Sequence, residues 1–229
     1  MITLLVNDKP HELPLYVSID QWSKLLKWDI QEPSHWPRMM SYLTNVDEAI
    51  LRDADPQSLS LGASFIASIL QRRQEVSYET FDKLVFGQWV DLDVYISMGV
   101  DKSLQDITNI IAPKSENAAQ ALYVVDKFME YRTYIYKQYS ELFGLNDLQD
   151  DDPIEDDGSK AQSDHMEIAR NWYKIIVGLA DNNILNIDDI TAQPLLKVFN
   201  FMALRKQQAL DEMAQQKKQQ RQYDLQRNR

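Results

Sequence analysis

The side chains that carry most metal and nucleophile chemistry are scarce in this chain. It has no cysteine, which removes disulfides, thiolate nucleophiles and cysteine zinc sites together. Its three histidines are His11, His35 and His165. They fall in a hairpin, a proline-rich turn and a helix start, without the HExxH or H-x3-H spacing that brings two ring nitrogens to one ion. They read as surface or cap residues, and no metal site is assigned. His165 and Glu167 are two positions apart and diverge on a helix. The acidic run at 147–157 invites a calcium reading, but a loop begun at Asp147 has Gln149 at its third position and Asp152 where the turn glycine belongs. A loop begun at Asp181 places Leu185 on a ligand position. Carboxylate pairs such as Asp91 and Asp93, or Asp188 and Asp189, are too common to mark acid–base work, and Asp91 and Asp93 diverge on a helix. The six glycines form no G-x-S-x-G elbow, Walker A loop or G-x-G-x-x-G turn. No catalytic residue and no cofactor site is assigned, and an enzyme built on an unfamiliar carboxylate site ranks third among the readings.

Charge is unevenly placed. The 229 residues carry −11, of which residues 205–229 carry +4 and the remainder −15. An acidic body repels nucleic acid, whose binding rests on neutralising phosphates, so nucleic acid is disfavoured as a partner. No apolar run approaches the roughly 20 residues of a membrane helix. The first residues lack the basic region and cleavage site of a signal peptide. Protein partners are what remains, with the oligomeric state open.

The elements follow from periodicity. Residues 2–6 and 11–16 around Asn7-Asp8 predict a β-hairpin. Ser18 and Gln21 form an S-x-x-Q capping box, and Trp22, Leu25 and Leu26 share the face of the helix behind it. Pro33 and Pro37 break the chain before a helix begun at Trp36, and residues 59–70 form a third helix. Residues 76–86 read as a strand pair or one extended strand. Gly87 is expected to cap a helix with Trp89 and Leu92, and Leu104, Ile107 and Ile111 keep the helical period up to Pro113. The longest helix is expected at 116–142, ending at Gly144. Seven acids lie within 147–157 with no base, which predicts a self-repelling linker. Helix resumes at Ser163 or Asp164, and Asp189 or Thr191 caps a last helix with Pro194 in its first turn. Beyond Leu204 its apolar face fades into Lys, Arg and eight Gln, and a helix so polar either finds a partner or frays. The fold class is therefore mainly α, with an α+β character from the small hairpin. The expected domains are a helical 1–145, an acidic linker 146–163, and a helical 164–229 with a basic, Gln-rich tail.

The five tryptophans divide into two groups. Trp22, Trp89 and Trp172 sit on apolar faces and belong to the core. Trp28 and Trp36 flank the proline turn and are candidates for partner contact, together with Tyr131 and Tyr134 of the long helix and Arg221 and Arg227 of the tail. A local echo links Val17-Ser18-Ile19-Asp20-Gln21-Trp22 with Val85-Phe86-Gly87-Gln88-Trp89; each runs from an extended apolar piece through a capping residue to Gln-Trp and a helix.

The segment Phe86-Gly87-Gln88-Trp89-Val90-Asp91-Leu92-Asp93 resembles an apolar-G-[EQ]-aromatic-x-D-L-[DE] pattern of small tail-assembly proteins of tailed bacteriophages. In that group a segment like Ile19-Asp20-Gln21-Trp22 opens a similar helix. Trp172-Tyr173-Lys174-Ile175-Ile176-Val177-Gly178-Leu179-Ala180, followed by Asp189-Ile190-Thr191 and Pro194-Leu195, is similar to the C-terminal piece of such chaperones. The resemblance covers residues 16–142 and 168–204 and carries no active residues. It implies a non-enzymatic assembly protein that binds a tape-measure-like or baseplate-hub protein in the host cytoplasm. A permanent virion subunit of a baseplate, hub or neck is the alternative.

Overall fold

A computed structural model describes residues 2–6, 9–143 and 161–227. The fold is mainly α. A hairpin of β1 (Ile2–Val6) and β2 (Lys9–Leu13) leads into α1 (Ile19–Leu25), α2 (Trp36–Thr44), α3 (Glu48–Arg52) and α4 (Pro56–Gln71). Then follow α5 (Phe86–Met98), α6 (Val100–Ile111), α7 (Ala118–Gln138) and α8 (Ser140–Phe143). The C-terminal part holds α9 (Ala161–Leu179), α10 (Ile187–Thr191) and α11 (Leu195–Arg227). Among the described residues no helix is long and apolar enough to cross a membrane.

Several expectations change in detail. Residues 76–86 hold no strand. They contain a 3-10 turn at Phe81–Lys83 and a single bridge between Val85 and Pro194. Pro194 has no N–H to donate, so a ladder cannot grow there. The flanking bonds are Phe86 N–H to Gln193 O (2.8 Å) and Leu195 N–H to Leu84 O (3.0 Å). Gly87 is not a cap; α5 already begins at Phe86. Gly99, at φ 101°, separates α5 from α6 in a conformation that side chains resist. The long helix ends at Gln138, and Gly144 lies outside the described residues, as do 146–160 of the expected linker. Helix resumes at Ala161, and the expected last helix is divided into α10 and α11 with Pro194 directly before α11.

The chain forms two compact units, residues 1–79 with 95–128 and residues 80–94 with 129–229. Segments 80–94 and 129–143 thus group with the C-terminal part rather than with the rest of the expected domain 1–145. In the first unit β1 and β2 pair antiparallel, with Leu4 opposite His11 and Val6 opposite Lys9. The Ser18 capping box forms: Ser18 N–H donates to Gln21 Oε1 (3.0 Å) and Gln21 N–H to Ser18 Oγ (3.1 Å). It starts α1 so that Ile19, Trp22 and Leu25 are buried, with α1 packed against α6. Trp22 satisfies its indole N–H on Leu70 O (3.0 Å). The α6 face of Leu104, Ile107 and Ile111 is buried, as the period predicts.

The second unit is built on aromatics. Phe199 of α11 meets Trp89 at 5.6 Å, Tyr139 at 5.3 Å and Phe143 at 5.6 Å, ring centroid to centroid. Phe86 and Trp172 meet edge to face at 5.8 Å. Edge-to-face pairs of this kind exceed their area burial by about 0.5–1.5 kcal/mol each.

Candidate interaction surface

Every residue of the 86–93 segment has a place in the second unit. Gln88 Oε1 accepts the N–H of Val85 (3.1 Å) and so closes the first turn of α5. Gly87 lies against α10: a Cβ there would stand 3.1 Å from Thr191 Cβ and 3.3 Å from Thr191 O. Trp89 and Leu92 are fully buried. Asp91 and Asp93 do diverge. Asp91 is exposed, whereas Asp93 is 4 % exposed.

Asp93 is the polar centre of the unit. Its Oδ1 accepts from Arg132 (Nε at 2.8 Å, the terminal nitrogen at 2.6 Å) and from the Tyr136 hydroxyl (3.0 Å). Its Oδ2 accepts the Trp172 indole N–H (2.8 Å). The Arg132 guanidinium also lies 4.7 Å from the centre of the Tyr136 ring. Burial, and then the Asp93 charge, push the Tyr136 phenol well above its ordinary value near 10. A carboxylate held by three donors on α7 and α9 is a clamp on those helices, not a base open to a substrate.

The residues singled out for partner contact scatter. Trp28 is half-buried and meets Tyr42 edge to face at 5.8 Å. Trp36 is half-buried, donates its indole N–H to Ile30 O (2.8 Å), and lines a shallow groove of about 160 Å³ with Ser60, Ala63 and Ser64. Tyr131 is half-buried and donates to Asp82 Oδ1 (3.1 Å). Tyr134 is 59 % exposed. Arg221 is exposed on α11, and Arg227 closes that helix with a side chain outside the described ones. The structure brings Tyr131 and Tyr134 near each other, at 6.4 Å, within the second unit, while Trp28 and Trp36 belong to the first. His35 serves its own turn, its Nδ1 accepting the Asp29 N–H (3.1 Å). Among the described residues no three His, Asp or Glu converge.

Two exposed features were not singled out from the sequence. Ile184 and Leu185 are 75 % and 81 % exposed at the turn between α9 and α10. The turn is held by Asp181 and Asn182 in the left-handed region, at φ 53° and 59°, and by Asn183 Oδ1, which accepts the Leu185 N–H (3.1 Å). Beside it Tyr173, Val177 and Ile187 line a groove of about 110 Å³. The signal was an apolar pair placed directly after Asp-Asn-Asn, where a turn presents its tip to water. In the first unit a wider groove of about 450 Å³ lies between residues 76–79 and 110–115 and includes Val124. The Ser115 hydroxyl is buried without a hydrogen-bond partner.

No protein-family model, curated protein or solved structure matches this chain.

Proposed function

We propose that this protein is a non-enzymatic assembly protein of the tailed-bacteriophage kind. It binds a long, apolar-striped helical partner, such as a tape-measure or baseplate-hub protein, in the host cytoplasm. The observation that supports it best is the Ile184–Leu185 turn. Two branched aliphatic side chains stand in water on a turn fixed by its own hydrogen bonds, next to a groove lined by Tyr173, Val177 and Ile187. Single exposed aliphatics are ordinary, but a preorganised apolar tip beside an aromatic-lined groove fits the apolar stripe of a helix. Burial of each side chain on a partner is worth about 1.5–3 kcal/mol. The Asp93 carboxylate, taken up by three donors, further favours a binding role over acid–base chemistry.

Co-expression with candidate tail proteins, followed by affinity purification, tests the reading. The expected result is a soluble complex with the tape-measure-like or hub protein. The double variant Ile184→Ser/Leu185→Ser should weaken it at least tenfold with an unchanged circular dichroism melt. A full set of tail proteins that gives no complex overturns the proposal. Mass spectrometry of purified particles supplies the second arm: a fixed copy number in the particle makes the protein a permanent virion subunit.

A further inference from the structure

The apolar tip at Ile184–Leu185 is one edge of a larger surface. On α9, Met166, Tyr173 and Val177 recur at seven and four residues, which places them within about 40° of one another at about 100° per residue. Met166 is 51 % and Tyr173 58 % exposed, and Tyr173 and Val177 form one wall of the groove beside the turn. This strip runs roughly 16 Å along α9 at 1.5 Å per residue. The turn is the opposite wall. Ile184–Asn186 is a 3-10 turn that leads into α10, so Ile184 and Ile187 stand one above the other, and both line the groove.

Charge is sorted across this groove. Arg170 and Lys174 are exposed and centred about 60° round α9 from the apolar strip, on the side away from buried Trp172 and Ile176. On the turn, Leu185 and Asp188 follow Ile184 and Ile187 by one residue each and stand next round from the groove, with Asp189 beyond them. Both aspartates are exposed. Among the described side chains, none of Arg170, Lys174, Asp188 and Asp189 makes an ion pair. The surface is an apolar trough with a basic rim on α9 and an acidic rim on the turn.

We propose that this trough takes an amphipathic helix of a partner protein whose aliphatic stripe is flanked by acidic residues on one side and basic residues on the other. The inference rests on the helix-binding reading of the turn and adds the charge pattern of the partner. A helix in the trough sets its acids against Arg170 and Lys174 and its bases against Asp188 and Asp189, while its stripe covers Tyr173, Val177 and Ile184. A uniformly basic helix would meet Arg170 and Lys174, and a uniformly acidic one would meet the two aspartates. The phosphates of a nucleic acid or an anionic bilayer would meet the same aspartates. Opposed rims of this kind select the partner and speed its docking more than they add affinity.

Fluorescence anisotropy of the full chain with three labelled helical peptides, at low and high salt, tests it. The peptides share one leucine stripe and differ in its flanks: glutamate on one side and lysine on the other, lysine on both, or glutamate on both. The opposed-flank peptide should bind at least tenfold more tightly than either uniform one, and high salt should narrow that gap. Arg170→Glu/Lys174→Glu makes both rims acidic and should pass the preference to the lysine peptide. Asp188→Lys/Asp189→Lys makes both rims basic and should pass it to the glutamate peptide. Equal binding of all three peptides, lost in Ile184→Ser/Leu185→Ser, overturns the charge pattern and leaves the helix-binding turn standing. A ranking that neither charge variant moves also overturns it. So does a lysine peptide that binds best and ignores Ile184→Ser/Leu185→Ser, because the overall charge of −11 would then be what attracts it. Binding of none of the three removes the turn as a helix site, and the proposal with it.

Discussion

Two helices of this protein begin with a glutamine three residues in and a tryptophan right behind it, and they secure that start by different means. At α1, Ser18 N–H donates to Gln21 Oε1 (3.0 Å) and Gln21 N–H returns a bond to Ser18 Oγ (3.1 Å). At α5, Val85 N–H donates to Gln88 Oε1 (3.1 Å), but valine has no oxygen with which to reciprocate. The missing half is replaced from a distance, where Phe86 N–H donates to Gln193 O; the residue before each cap is tied alike, Leu84 O accepting from Leu195 N–H and Val17 O from Ala118 N–H (2.9 Å). Both starts are anchored by the chain 100 or so residues later, and only α5 also satisfies a first-turn N–H there. The positions that follow differ in the same sense. One turn beyond Trp22 stands the exposed Leu26, and one turn beyond Trp89 stands the buried Asp93 with its three donors. Matching sequence therefore marks a shared cap, while the role of each helix is set by what reaches it from elsewhere.

The largest test of this contrast is removal of Asp93. Asp93→Ala leaves the Arg132 guanidinium and the Trp172 indole N–H without their acceptor, and breaking a buried pair of this kind costs about 3–5 kcal/mol. Leu26→Ala, at the matching position just past α1, should cost about 1 kcal/mol or less because that residue is already 39 % exposed. Urea denaturation of both variants decides it, and equal losses would break the comparison. The same centre should respond to alkali. The Tyr136 phenol is raised mainly by burial and next by the Asp93 charge, and the Tyr131 phenol by burial and then Asp82. A folded-state value above the unfolded one near 10 means that the stabilisation is complete below about pH 10 and is lost as pH rises beyond it. Denaturant midpoints from about pH 9 to pH 12 should fall, and Tyr136→Phe should flatten that fall.

Much of this organisation was legible because it is local. The Ser18–Gln21 box spans three residues, and the apolar faces of α1, α6 and the start of α11 repeat every three or four. Trp22, Trp89 and Trp172 were readable as core for the same reason, and all three are buried. Asp93 was not readable, because its partners lie 39, 43 and 79 residues away and an acid among apolar residues looks like a solvated face. Residues 76–86 read as a strand or strand pair, yet a strand needs a ladder, and the partner opposite Val85 is a proline. Ile184 and Leu185, just past Asp181-Asn182-Asn183, drew no reading as an exposed tip. They are instead held outward by two left-handed residues whose conformation no pattern of hydrophobicity reports.

A smaller effect sharpens the contrast at the second helical position. Gly87 faces Thr191, and a Cβ would already stand 3.1 Å from the threonine Cβ. Gly87→Val adds two further carbons at that approach and should cost about 1–3 kcal/mol by overpacking. Its counterpart in α1 is Asp20, whose side chain is in water and takes Lys24 at 2.8 Å. Asp20→Val should cost about 1 kcal/mol or less, through a lost helix-terminus charge and an exposed ion pair. Thermal melts compare the two directly, and a tolerated Gly87→Val would mean that α10 yields readily at Thr191.

The smallest expected effect separates the two caps themselves. Ser18→Val removes the hydroxyl that Gln21 N–H uses, and the distant bond at Val17 O satisfies no first-turn N–H, so the loss should be about 1 kcal/mol. Val85→Ser does the reverse at α5, supplying a hydroxyl where Gln88 N–H can reach it while stripping two methyl groups from a half-buried position. The gained cap and the lost burial are each near 1 kcal/mol and oppose each other, so that variant should stay within about 0.5 kcal/mol of the parent. The asymmetry is the informative quantity. If Ser18→Val proved as neutral as Val85→Ser, the Ala118–Val17 bond would do for α1 what the Gln193 bond does for α5, and the distinction between a local cap and a borrowed one would fail.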